Sequence, residues 1–403
     1  MSKIAPALLL VTLSVLLGGC VSHTVKSTSV PSIANASEDV PEEQLLDVGI
    51  VIFDPGLDEY DEDEQVYPEV RRAEARYMPN LLSDAMQNSG AWGTVRVVPS
   101  ADQINDVIVE GTILHSDGEE LQLLIKATDS RGDIWMNRKY TSHASRYAYD
   151  ATTRNQSDPF QAIYNRVAND LLIEQEKLSG EERVRIRTVS ELLFAQSFSD
   201  KAFEGYLDKT RKGRYKIVRL PAEGDPMLDR VRSIRERDQL FIDTMQEYYG
   251  NFNGEMSGPY QEWRKLSYEE TIALQELKAE STRRLIAGGV AVLAGIAAAG
   301  ANDSYSRTAG NVAILGGGYL LKSGLEKRNE AQIHVQALEE LGVSLEADIV
   351  PHVIELDDRS VMLDGSVQDQ YNQWRQILAE IYEAEIGALE LPEDAAASGT
   401  SSP

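Results

Sequence analysis

Only one cysteine occurs in the 403 residues, and it stands at position 20. Everything before it is built to be removed. Met1, Ser2 and Lys3 make a short positive start, Ile4 to Leu17 is an uncharged and mostly apolar run, and Gly18-Gly19 leads straight into Cys20. A positive tip, an apolar core of that length and small residues at the end describe a secretory signal peptide over 1–19. The apolar run is too short for a comfortable membrane span. No disulfide can form within the chain, so its folding must rest on packing alone. With 42% apolar residues there is material for true cores, which excludes a disordered protein.

The Leu17-Gly18-Gly19-Cys20 ending resembles the lipobox of bacterial lipoproteins. That resemblance implies cleavage before Cys20 and acylation of its sulfur and new amino group. Two or more acyl chains suffice for stable anchoring. Val21 and Ser22 follow where an aspartate would mark inner-membrane retention, which implies the outer membrane, with the body facing the periplasm. Formal net charge is −26. Such a balance repels nucleic acid and anionic headgroups at long range, so the expected partners are the membrane through its lipid and other envelope proteins, not nucleic acid.

Residues 20–45 read as a lipidated tether, rich in Ser, Thr, Pro and acids. The fold class expected beyond it is α+β. Residues 46–178 should form an α/β domain: a buried strand at 47–53, a helix at 68–89, a strand at 94–98, and strands at 106–114, 121–127 and 134–141. Ser116-Asp117-Gly118 and Ser130-Arg131-Gly132 have the turn chemistry that makes the last three an antiparallel meander. Val109 and Ile113 then share a face. A helix at 159–177 completes the domain. The acidic loop Asp58–Glu64, six carboxylates in seven residues, lacks the glycine of a calcium loop and reads as solvated.

Val48 to Phe53, the helix around Tyr77 to Met86, and Asp106-Val-Ile-Val-Glu-Gly-Thr-Ile113 resemble a group of periplasmic domains. The group includes the N-terminal domain of TolB, the curli-secretion channel lipoproteins and the lipoprotein activators of penicillin-binding proteins. The resemblance covers about residues 47–143 and implies a three-layer α/β module serving envelope assembly.

The rest reads as mainly helical over 179–284. A helix is expected from Gly180 to Leu207, a lone short strand at 215–220, and helix from Asp225 to Glu280 broken at 250–254 and at Gly258-Pro259. Leu285 to Ala301 is seventeen residues without a charge. Ala287, Ala291, Gly295 and Ala299 recur every fourth position, and Ala309, Ala313 and Gly317 repeat the spacing after a polar turn. Two small-residue ridges let helix backbones approach closely, and 285–321 resembles a glycine-zipper helical hairpin. Arg283, Arg284, Lys322, Lys327 and Arg328 would all lie at its open end as a membrane-proximal collar. Such a hairpin either rests at the bilayer surface or packs in a soluble core.

Residues 322–391 read as a helix followed by a β-hairpin–helix unit. Strands fall at 352–356 and 360–363, and a helix at 367–385 is capped by Ser366 and Asp369. Strand, turn, Val361-x-Leu363-x-Gly365 and helix resemble part of a BON domain. Tyr260-x-x-Trp263-Arg264 recurs as Tyr371-x-x-Trp374-Arg375, with ring and cation one helical turn apart. Residues 392–403 read as a disordered tail.

No catalytic pattern emerges. The five histidines are scattered and form no zinc motif, there is no G-x-S-x-G elbow, and Gly316–Ser323 lacks the second glycine of a phosphate loop. No cofactor and no metal are expected. The leading reading is a non-enzymatic, lipid-anchored outer-membrane protein that supports envelope assembly or transport through protein–protein contacts. The alternatives are a homo-oligomeric transport or secretion component using the Gly/Ala-rich hairpins, and a cell-wall hydrolase.

Overall fold

The structure is a computed structural model describing residues 30–298 apart from 38–39, 59–65, 150–156 and 200, then 336, 340, 352–355 and 360–387. Within those residues the chain is a mixed α/β protein: five α-helices, a mixed five-stranded sheet and two small hairpins.

The sheet has the order β2-β1-β3-β4-β5. Strand β1 (Val48–Val51) runs parallel to both β2 (Val95–Val98) and β3 (Val107–Ser116). Strands β3, β4 (Glu120–Asp129) and β5 (Ile134–His143) form the expected antiparallel meander. Val109 and Ile113 are both fully buried on one face, as their even spacing requires. Helices α1 (Pro68–Gln87) and α2 (Gln161–Glu176) cover that face and touch each other. Leu82, Met86, Phe53, Ile125, Phe160 and Leu171 fill the space between them and the sheet.

Residues 30–37 are not a free tether. Ile33 and Ala36 pack on this core, while Pro31, Ser32 and Ala34 exchange hydrogen bonds with Asn165 and Asn169 of α2. Side-chain amides of α2 satisfy a backbone that has no strand to join.

Helix α3 (Gly180–Phe198) opens with a capping box, Ser179 and Glu182. It ends nine residues before the expected Leu207, where Ser197 turns its hydroxyl onto the Phe194 carbonyl and competes with the helical ladder. Nor is the following strand alone. Leu207–Lys209 (β6) pairs with Tyr215–Ile217 (β7) around Gly213, whose φ of 81° suits a tight turn.

The largest correction concerns α4, which runs unbroken from Pro226 to Ala298, 73 residues, straight through the expected breaks. Gly250, Gly254, Gly258 and Pro259 together cost an isolated helix roughly 6 kcal/mol. Phe252, Met256, Tyr260 and Trp263 of the same stretch are buried against Val70, Ala73 and Tyr77 of α1, which contributes about 1.5–3 kcal/mol for each. Packing outweighs propensity. Farther back, α4 seals the sheet edge. Gln246 accepts from the Val97 amide at 2.9 Å and donates to the Val97 carbonyl at 3.0 Å, and Asp243 holds Arg96. An open β2 edge would otherwise invite strand addition.

At the C-terminal end, His352–Glu355 (β8) pairs with Ser360–Leu363 (β9). Helix α5 (Val367–Gly387) follows with Ser366 and Asp369 exchanging the expected capping bonds. It packs along the first third of α4, Phe241 stacking on Trp374.

Candidate functional site

The strongest concentration of buried charge lies where α4 crosses the end of the β3–β4 turn. Asp158 sets it up. Placed before α2, its Oδ1 accepts from the Phe160 amide at 2.9 Å, a local turn that aims the carboxylate away from its own helix. Arg264 of α4 then closes on it with two bonds, Nη1 to Oδ1 at 2.9 Å and Nη2 to Oδ2 at 2.6 Å. Gln261 adds a third donor from α4 at 3.3 Å. The two side chains are 1% and 5% exposed, and the guanidinium lies 3.8 Å from the Tyr260 ring centroid. Burial works to strip the Arg264 proton, and the Asp158 charge beside it more than offsets that, holding its pKa well above the ordinary value.

A second carboxylate extends the cluster. Glu74 of α1 accepts from the Ser116 hydroxyl and the Tyr260 hydroxyl, both at 2.5 Å, with Arg71 Nε at 3.8 Å. Burial, and then Glu74, push the Tyr260 hydroxyl well above its usual pKa. Tyr164 and Tyr77 are raised by burial in the same way.

The turn itself is fitted to α4. A Cβ on Gly118 would stand 2.0 Å from the Arg264 carbonyl oxygen and 2.1 Å from the Tyr268 nitrogen. Gly118 has no positive φ, so the glycine is required by the helix above it and not by the turn. Its amide donates to Ser267 Oγ at 3.2 Å, and its carbonyl accepts from Tyr149 at 2.6 Å. Beside it Asp117, although burial works to raise its pKa, is held below the usual carboxylate range by His115 and the Glu120 and Glu119 amides.

Chemically this cluster fastens the elements it joins. Both Asp158 oxygens are filled by the protein's own donors, and the groups are sealed from solvent. Strand end, α1, α2 and α4 are locked as one piece, and α4 continues 23 residues past Gln275, whose amide reaches Glu119. At 1.5 Å per residue that is roughly 35 Å of helix.

The residues singled out from sequence fall largely elsewhere. Arg283, Arg284, Ala287, Ala291 and Gly295 lie on the last turns of α4, so the first arm of the expected hairpin is a continuation of α4 and not a separate helix. Cys20, the signal peptide, Ala299, the turn at 302–307, Ala309, Ala313, Gly317, Lys322, Lys327, Arg328, the acidic loop beyond Asp58 and the tail lie outside the described residues. Of the two Tyr-x-x-Trp-Arg motifs, the first makes the ring–cation contact expected of it. In the second, Arg375 lies over Phe198, at 4.4 Å, and over Phe194. Sequence reasoning missed Asp158 and Glu74, which carry no signal among 65 acidic residues.

Among the described residues no group of His, Cys, Asp or Glu is gathered to hold a metal ion, and no helix is long and apolar enough to cross a membrane. Compared with known proteins, the chain matches no family model and none of the curated proteins.

Proposed function

We propose that this chain is a non-enzymatic lipoprotein, held by acyl chains on Cys20 at the outer membrane and facing the periplasm. In this reading it supports envelope assembly or transport through protein–protein contacts. The α/β domain is a TolB-like body, and α4 is a rigid strut that carries the first small-residue ridge away from it. One observation carries the reading: an unbroken helix, riveted to the body by Arg264 and Asp158, runs on through Ala287, Ala291 and Gly295. A ridge of small residues favours close approach of another helix backbone, from the second arm, a partner protein or another copy.

Two changes in native envelopes test it. Cys20→Ser should release the protein from membranes into the soluble fraction. Gly295→Leu should leave it anchored but remove its crosslinks to neighbouring proteins. Retention of the serine variant on membranes would defeat the anchor, and an unchanged crosslinking pattern in the leucine variant would defeat the strut.

A further inference from the structure

Between β2, the 99–106 connection, α3, α4 and α5 lies a cavity of about 310 Å³, at the small end of ligand-pocket sizes. Exposed Asp102 and Asn372 stand at its rim, and buried Gln103 and Asp238 at its floor.

Its chemistry is unlike that of the buried clasp. Arg235 comes from α4 and Arg375 from α5, and both sit against Phe194, at 5.7 and 5.3 Å from its ring centroid. Neither makes an ion pair within 4 Å, although both act electrostatically on Asp238, and Arg235 also on buried Asp106. Arg235 donates to Ser190 Oγ and Arg375 to Ser197 Oγ, each at 3.2 Å. A guanidinium offers five donors, so most of this capacity is left for solvent or a ligand. Meanwhile Asp238, 5% exposed, keeps its Oδ1 without a hydrogen-bond partner. The Gln103 amide nears the Tyr371 hydroxyl, yet neither of its atoms makes a bond of normal geometry. Buried polar atoms are usually satisfied, and those left over beside a cavity can be met by what enters it.

We infer that this cavity is a binding site for a small sugar-sized anion, its acid group held by Arg235 or Arg375 and its hydroxyl groups by the amides around them. A guanidinium group matches the paired oxygens of a carboxylate or phosphate. Asn105, Gln239, Gln368 and Asn372 also line the space. Each of these amides both donates and accepts, as a sugar hydroxyl does. The inference stands apart from the proposed function and needs neither the lipid nor the strut.

Asp238 adds a proton to the binding. Burial raises its pKa to about 6, against the pull of Arg375, Arg235, the Tyr371 hydroxyl and Arg96. Asp102 lines the same cavity. An arriving anion disfavours ionised Asp238 further and accepts a hydrogen bond from its protonated form. Binding therefore takes up a proton, and affinity rises as pH falls through about 6.

Calorimetry on the full chain in detergent tests this, with glucuronate and glucose 6-phosphate as probes and glucose as the neutral control. One or both acids should bind at pH 5.5, the one preferred telling carboxylate from phosphate, and glucose should not. Loss of a charge-assisted contact in Arg235→Gln or Arg375→Gln should weaken binding about tenfold or more. Arg375→Lys serves the same end if the glutamine variant does not fold. Asp238→Asn should flatten the dependence between pH 7.5 and 5.5. No heat with either acid, equal binding of glucose, or unaltered affinity in folded arginine variants would overturn the inference.

Discussion

Two of the contacts that helix α4 makes with the rest of the molecule are built in opposite ways. Around Arg264 the interface is ionic and closed: a guanidinium and a carboxylate, both buried, with both carboxylate oxygens occupied by protein donors. Around Asp238, some seven turns earlier, aromatic and aliphatic packing against α5 surrounds a hole whose charges are only half engaged. The first arrangement fixes geometry, with both Asp158 oxygens taken by donors of the chain itself. The second gives up internal hydrogen bonds and keeps a site. One helix thus serves as a rivet at one contact and as the wall of a pocket at the other.

The sharpest way to break this contrast is to remove one half of the rivet. Arg264→Met leaves Asp158 charged, buried and short of two donors, a loss expected to cost about 3–5 kcal/mol. Adding Asp158→Asn should recover a large part of it, because the amide oxygen still accepts from Phe160 and no bare charge remains. Denaturant melts of the two variants decide the matter. A single variant as stable as the parent would mean the pair is solvated and α4 is held by its apolar face alone.

At the other contact the sign reverses. The raised pKa of Asp238 means the folded state holds this proton more tightly than the unfolded chain does. Its contribution is complete at acid pH and is lost as pH rises from about 4 to about 6, a swing of roughly 3 kcal/mol. Asp238→Asn should therefore stabilise the protein at pH 7.5 and change it little at pH 4. Melting temperatures across that range check it, and a variant less stable than the parent at pH 7.5 would show that the carboxylate is held by Arg235 and Arg375 in the empty protein.

The two contacts also differ in how far they could be read in advance. The strand–helix–strand–meander order was legible because each element carries its own local period and turn residues, and the Ser366–Asp369 cap and the Tyr260–Arg264 stack are likewise short-range. What was not legible is long-range. Asp158 lies 106 residues from Arg264, and a carboxylate that will be buried looks like any other in an acidic chain. Gly118 has the look of a turn residue, yet it is glycine because a helix from 150 residues farther on lies against it. Helix α4 was misread as interrupted for the same reason: its breakers are visible in the sequence, and the α1 surface that overrides them is not. The cavity draws residues from β2, α3, α4 and α5, so no single stretch announces it.

That override gives the smallest and most exact of the expected effects. A Cβ placed on Gly250, Gly254 or Gly258 would meet nothing within 4 Å, and all three residues are exposed. No other described part of the chain needs them to be glycine. Each costs the helix up to about 1 kcal/mol relative to alanine, and the buried side chains between them absorb that cost. Gly254→Ala should therefore stabilise the protein by about 0.5–1 kcal/mol, seen as a higher denaturation midpoint with an unchanged slope. It should do so equally in the parent and in Arg264→Met, because the two sites lie about 15 Å apart along the helix and act independently. A destabilising alanine would mean that the helix bends at 250–259 and uses its glycines to do so. The rivet at Arg264 would then fasten only the second of two segments.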